Sequence, residues 1–154
     1  MKKSKSPDLG NLQELWNKAT KPDPKILVGK TYNVTILEGN YPNMKRLLHR
    51  KKFYLEDDTV KGYNQLMFGL IQFGHLVVVD GVNELTFSYN VKENPPYLRS
   101  LQDDIREISN GIYIGKIKTV SVREFMNSKI KETKERGWFL LIKKSNETPE
   151  ERIH

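Results

Sequence analysis

Asp103-Asp104-Ile105-Arg106-Glu107-Ile108-Ser109-Asn110-Gly111-Ile112-Tyr113-Ile114-Gly115-Lys116-Ile117 is the stretch whose reading decides the fold. Two β-prone runs flank Asn110-Gly111, the dipeptide best suited to a two-residue type I′ turn, because both central positions need positive φ. That turn would set Ser109 against Ile112, Ile108 against Tyr113, Arg106 against Gly115 and Asp104 against Ile117. Side chains alternate along a strand, so Asp104, Arg106, Ile108, Tyr113, Gly115 and Ile117 would share one face. A guanidinium opposite a glycine, bordered by apolar groups, suits the inner wall of a pocket, with Gly115 leaving room for Arg106 or a ligand. Tyr97, Leu98, Leu101, Ile105 and Ile108 also fit a helical stripe, so a helix from Pro96 to Ser109 competes with this reading. The β character after Asn110-Gly111 favours a strand from about Asp103, since a hairpin needs two arms.

The same alternation runs through much of the chain. Tyr32, Val34 and Ile36 interleave with polar residues, and β-prone runs follow at 52–56, 59–68, 75–79 and 82–89. Asp80-Gly81 is a second strong hairpin dipeptide, and the glycines at 69 and 74 mark bends or bulges. Before the first strand, Leu12, Leu15, Trp16 and Ala19 form a helical stripe ended by Pro22 and Pro24, with Asn11 as its cap and Trp16 as a core or barrel-plug residue. Ser121-Val122-Arg123-Glu124 has the form of a capping box, and Val122, Phe125, Met126 and Ile130 fit an amphipathic helix to about Glu135, with Gly137 as its C-terminal cap. Trp138 to Lys143 is a short apolar run suited to a buried last strand. Roughly eight strands joined mostly by hairpins predict a mainly β fold: an antiparallel up-and-down barrel with an N-terminal helix and one or two accessory helices. Such closure removes sheet edges and encloses a space for one small ligand.

The totals agree with a single domain over residues 1–154, with tails at 1–9 and 146–154 expected to be flexible. With 37% hydrophobic and 29% charged residues, the chain has no apolar run long enough to span a membrane. It has no cysteine, which excludes disulfides, thiolate catalysis and zinc–thiolate sites. The basic start has no apolar segment behind it, so a cytoplasmic protein is expected. The formal charge of +7 reads first as a soluble surface.

No catalytic signature is present. The three histidines, at 49, 75 and 154, show no metal-ligand spacing, and neither a nucleotide-binding glycine loop nor Gly-x-Ser-x-Gly occurs, so no metal or cofactor is expected. His75 reads as structural. The expected ligand-contacting residues are Arg106, Tyr113, Asp104 and Gly115 of the central hairpin, with Tyr32 and Trp138 from the first and last strands. An inward Arg106 needs Asp104 or a bound anion beside it, which points to a small, largely apolar, anionic ligand. Two other readings remain. An enzyme of the isomerase, cyclase or decarboxylase type would use Asp104 or Glu107 as base and Tyr113 as donor. A nucleic-acid binder would use Lys45, Arg46, Arg50, Lys51 and Lys52 with Phe53 and Tyr54 for stacking; acidic residues among the aromatics and the lack of an RNA-recognition signature weigh against it.

Certain residues give the pattern a family likeness. Leu27-Val28-Gly29-Lys30-Thr31-Tyr32 resembles the glycine-then-aromatic entry into the first strand of the lipocalin and fatty-acid-binding-protein group, the calycins. Tyr stands where that group has Trp, one residue further on. The closing Gly137-Trp138-Phe139-Leu140-Leu141-Ile142 is similar to their terminal strand, and Arg106 to the basic residue they aim at a ligand carboxylate. The resemblance implies a carrier of fatty-acid-like amphiphiles rather than an enzyme.

Overall fold

The computed structural model describes residues 9–39 and 48–144. A helix, α1 (Leu9–Lys18), and a short 3-10 turn (Pro24–Leu27) lead into the strands. These are β1 (Thr31–Gly39), β2 (Arg50–Glu56), β3 (Thr59–Leu66), β4 (Ile71–Asp80), β5 (Leu85–Ser88), β6 (Leu101–Ser109), β7 (Ile112–Phe125) and β8 (Ser128–Lys143). They close into an eight-stranded barrel in chain order, antiparallel throughout, with β8 returning to pair with β1. The period-2 patterning does what it predicts. In β3, Val60, Gly62, Asn64 and Leu66 are buried while their neighbours are half-exposed. The helix that competed for 96–109 shrinks to a 3-10 turn at Pro96–Leu98, and the rest is β6.

The decisive hairpin exists, but its corner differs from expectation. Gly111 has φ +80, while Asn110 is not among the residues with positive φ, so the turn is not type I′. Ser109 pairs with Ile112, and then Glu107 pairs with Tyr113, leaving Ile108 as an extra residue in a β-bulge. Beyond the bulge the register moves by one: Arg106 faces Ile114, Ile105 faces Gly115, Asp104 faces Lys116 and Asp103 faces Ile117. A one-residue slip exchanges the two faces of a strand. Ile105 thereby enters the core fully buried. Arg106 and Asp104 move to the outside of the barrel wall, which spares the interior an isolated guanidinium.

The helix expected from Ser121 to Glu135 is not formed. β7 runs on to Phe125, turns at Met126-Asn127 and returns as β8, with Ser121 opposite Glu132 and Arg123 opposite Ile130. Met126 and Asn127 have φ of 50 and 65, so this corner, not Asn110-Gly111, has the two left-handed positions of a type I′ turn. A hairpin already zipped to Ile117–Gly137 extends one pair at a time, whereas a separate helix would need a costly nucleus and a surface to bury its stripe. Val122, Phe125 and Met126 remain exposed, so no such surface was covered. The Asp80-Gly81 corner is also looser than a two-residue turn, since β5 resumes only at Leu85 with the Gly81 amide bonded to the Glu84 carbonyl.

Two apolar clusters lie on opposite sides of the wall. Inside, Tyr32, Phe53, Phe87 and Tyr113 fill the end nearest the Asn110-Gly111 corner, with ring centroids 5.2–5.7 Å apart along the series, and Leu27 packs with them. Outside, the α1 stripe of Leu12, Leu15 and Trp16, with Ala19 just after the helix, lies against Ile108, Ile114, Trp138 and Leu140. Trp16 is thus a core residue, but of this outer cluster rather than a plug in the barrel. Past the helix, the Thr20 and Glu107 backbones exchange hydrogen bonds of 3.0 and 2.6 Å, covering a stretch of β6 that extends beyond β5. The expected tails, apart from Leu9, lie outside the described residues, as does the segment around Asn43, a residue suited by sequence to cap a helical turn.

Candidate functional site

β2 and the residue before it carry the first part of the site. His49, Lys51 and Phe53 are spaced by two and turn inward, so a histidine and a lysine line up on the same face as a core phenylalanine. Directly across from Lys51 is Asn64 of β3. The Asn64 amide nitrogen donates to the Gly74 carbonyl at 3.0 Å, which orients the side chain. Gly74 has φ +57, and a Cβ there would stand 2.8 Å from that nitrogen, so both the backbone and the contact require glycine.

With the amide fixed, Asn64 Oδ1 accepts from Lys51 Nζ at 2.8 Å and from His49 Nε2 at 2.8 Å. Lys51 Nζ also donates to the Tyr89 hydroxyl at 2.5 Å and lies 3.6 Å from Asp103 Oδ2. The Tyr89 hydroxyl donates to Asp103 at 3.0 Å, closing the network. Asn94 holds Tyr89 in place by donating to its carbonyl and to that of His75. These groups line a cavity of about 220 Å³ in the half of the barrel nearest the β3–β4 and β5–β6 connections. The rest of its wall is apolar: Val34, Ile36, Phe73, Leu98, Leu101, Ile117 and Phe139.

Burial sets the protonation chemistry. It drives the Lys51 pKa down and the Asp103 pKa up, while the attraction between the two charges opposes both shifts. His49 is lowered to about 4, first by burial and then by the Lys51 charge. It is therefore neutral at pH 7. Because Nε2 donates to Asn64, Nδ1 carries the lone pair, and that atom is buried without a hydrogen-bond partner.

The residues expected from the sequence are divided by the barrel wall. Tyr32 and Tyr113 do point inward, edge to face, but in the packed floor below the cavity. Burial, chiefly, raises the pKa of both hydroxyls, which also interact with each other. Gly115 also points inward, yet its vacant space belongs to Phe139, whose Cζ would be 2.3 Å from an added Cβ. Asp104, Arg106 and Trp138 are on the outside. Asp104 accepts from Thr86 at 2.9 Å and pairs with Lys118 at 2.6 Å. Arg106 pairs with Glu84 at 3.0 Å, donates to the Trp16 carbonyl at 2.9 Å and stacks 4.3 Å from the Trp16 ring centroid. Its role is to clasp α1 to the barrel. Trp138 meets Trp16 in that same cluster.

The catalytic alternative built on these residues loses its setting, because Asp104 faces out and Glu107 lies across from Tyr113 at the filled end. The basic run also splits: Lys51 and Phe53 face in, Lys52 is exposed, and Lys45 and Arg46 lie outside the described residues. Sequence reasoning missed Lys51, Asp103, Asn64, Tyr89 and His49 as a group. The signal was present in His49-x-Lys51-x-Phe53 and Leu101-x-Asp103-x-Ile105, two period-2 faces with a charge inside an apolar series.

The chain matches no protein-family model, no curated protein and no solved structure. Among the described residues no group of three side chains could hold a metal ion, and no helix is long and apolar enough to cross a membrane.

Proposed function

We propose that this protein binds a small, largely apolar molecule inside the barrel, with the polar end of the ligand on the Lys51–Asp103–Tyr89–Asn64–His49 network. The observation that carries the reading is an apolar cavity whose wall ends on the buried Lys51–Asp103–Tyr89–Asn64–His49 polar set. Buried polar groups are costly to leave unmatched, and a hydroxyl or carbonyl on the ligand would extend this network into the cavity. At about 220 Å³ the cavity is below the roughly 300–1,000 Å³ of drug-sized sites. A medium-length chain or a small cyclic terpenoid-like compound fits it better than a long fatty acid.

The anionic head group expected from Arg106 loses its rationale with that residue outside. Lys51 is the cation on the described cavity wall, and Asp103 already balances it. An uncharged head, hydroxyl or carbonyl, suits an interior whose charges cancel. We read the chain as a calycin-like carrier on the strength of its strand order and the apolar site inside the barrel, and its lack of cysteine suits a reducing compartment such as the cytoplasm.

Native mass spectrometry of the purified protein, alone and with decanol or decanoate, tests this. Retention of decanol roughly tenfold tighter than decanoate at pH 7.5, a difference of about 1.4 kcal/mol, supports the neutral-head reading. A preference for decanoate overturns the choice of head group. Failure to retain either, with no co-purifying compound, overturns the binding reading.

A further inference from the structure

Lys51 supplies the one primary amine on the described cavity wall. Only 5% of its side chain is exposed, and its nitrogen lies 3.6 Å from the Asp103 carboxylate with the Tyr89 hydroxyl hydrogen-bonded to both. An amine attacks a carbonyl only after giving up its proton, which desolvation and an adjacent base promote. Asp103 is placed to take that proton, directly or through Tyr89. We propose that Lys51 forms an imine with an aldehyde-bearing apolar occupant of the cavity. This deepens the binding reading and rests on it.

The chemistry balances without any further reagent. The Lys51 ammonium passes a proton to Asp103, and the freed nitrogen lone pair forms a bond to the aldehyde carbon as the carbonyl π pair moves to oxygen. A proton transferred from nitrogen to that oxygen gives the neutral carbinolamine. Asp103, now a carboxylic acid, returns its proton to the hydroxyl. The carbon–oxygen bond breaks, water leaves, and a protonated imine stands beside the Asp103 carboxylate. The interior begins and ends with one cation and one anion, so the product adds no unpaired buried charge. Phe139, whose ring centroid is 5.7 Å from Lys51 Nζ, together with Ile117 and Leu101, limits access of the bulk water that would reverse the step. Outward-facing lysines such as Lys61 and Lys118 also pair with a carboxylate, Glu56 and Asp104, but outside the barrel and away from the apolar cavity wall.

The test uses the full chain incubated with decanal and reduced with borohydride, followed by intact mass measurement and peptide mapping. One decyl group per chain on Lys51, added at least roughly tenfold faster than at any other lysine, is the expected result. Decanol should slow labelling of Lys51 and leave the other lysines unchanged, a readout that needs no variant. Lys51→Arg keeps a cation beside Asp103 but has no amine to condense, so the label fixed by borohydride at position 51 should be lost. Labels spread over surface lysines, or one site that persists in Lys51→Arg, overturn the proposal. Decanal held in the native complex but never fixed by borohydride refutes the imine while leaving the carrier reading intact. Decanal not held at all refutes both.

Discussion

Replacing Lys51 by methionine removes the cation and leaves Asp103 buried without it. Breaking a buried pair in this way costs about 3–5 kcal/mol. The protein has one means of relief, which is to fold with Asp103 protonated. That route costs about 1.4 kcal/mol for each pH unit above the ordinary carboxyl pKa of 3.8, so the loss is capped at about 4.5 kcal/mol at pH 7 and about 1.7 kcal/mol at pH 5. The sign follows from the direction of the shift. A carboxyl whose pKa is raised by folding favours the native state at low pH, and that contribution fades as pH rises toward the folded value. His49 acts in the same direction, since losing the Lys51 charge makes its protonation in the fold less unfavourable. Urea unfolding of the wild type and Lys51→Met, followed by tryptophan emission at pH 5 and pH 7, measures the difference. The gap should narrow by more than about 2 kcal/mol on acidification, and adding Asp103→Asn should close most of it at pH 7. A gap that does not change with pH, or a double variant as unstable as the single one, would refute the buried-pair reasoning.

Gly115→Ala places a methyl group 2.3 Å from Phe139 Cζ and 2.9 Å from Ile105 Cδ1, so a loss of about 1–3 kcal/mol is expected in the same unfolding assay; no change would mean the Phe139 ring does not occupy that space. Arg106→Ala gives up the Glu84 pair and the Trp16 stack, about 1–2 kcal/mol together, yet should leave ligand retention within roughly twofold, and a lost ligand would return Arg106 to the site. His49 is buried neutral with its pKa lowered from 6.5 to about 4, so its share of stability is whole above pH 6.5 and declines by about 3 kcal/mol as pH falls toward 4. His49→Gln should flatten that part of the profile relative to wild type, and parallel profiles would count against a buried neutral ring.

The barrel was legible because its strands alternate cleanly. Tyr32-x-Val34-x-Ile36 shows which side is inward before any contact is known. The α1 stripe was legible for the same reason at a different period. What sequence could not show was the extra residue at Ile108. Asn-Gly serves a turn in which only the glycine is left-handed as readily as one in which both residues are, and the choice exchanges Arg106 for Ile105. The capping-box pattern at Ser121 misled because a local helix signal had to compete with a hairpin already in register. Lys51 was hidden differently. Within a basic run it reads as solvated, and only the partners brought by β3, by β6 and by the segment after β5 reveal it as an interior group.

The unequal strand lengths carry a consequence for how the molecule assembles. β7 and β8 meet along fourteen pairings, broken once by a bulge at Arg136, across the Met126-Asn127 corner, whereas the β1–β8 seam joins positions as remote as Tyr32 and Lys143. Loop-closure entropy therefore puts the long ribbon first and the seam last. Until the seam shuts, the margins of β1 and β8 are bare, and in that interval adhesion to another copy of the chain competes with completing the ring.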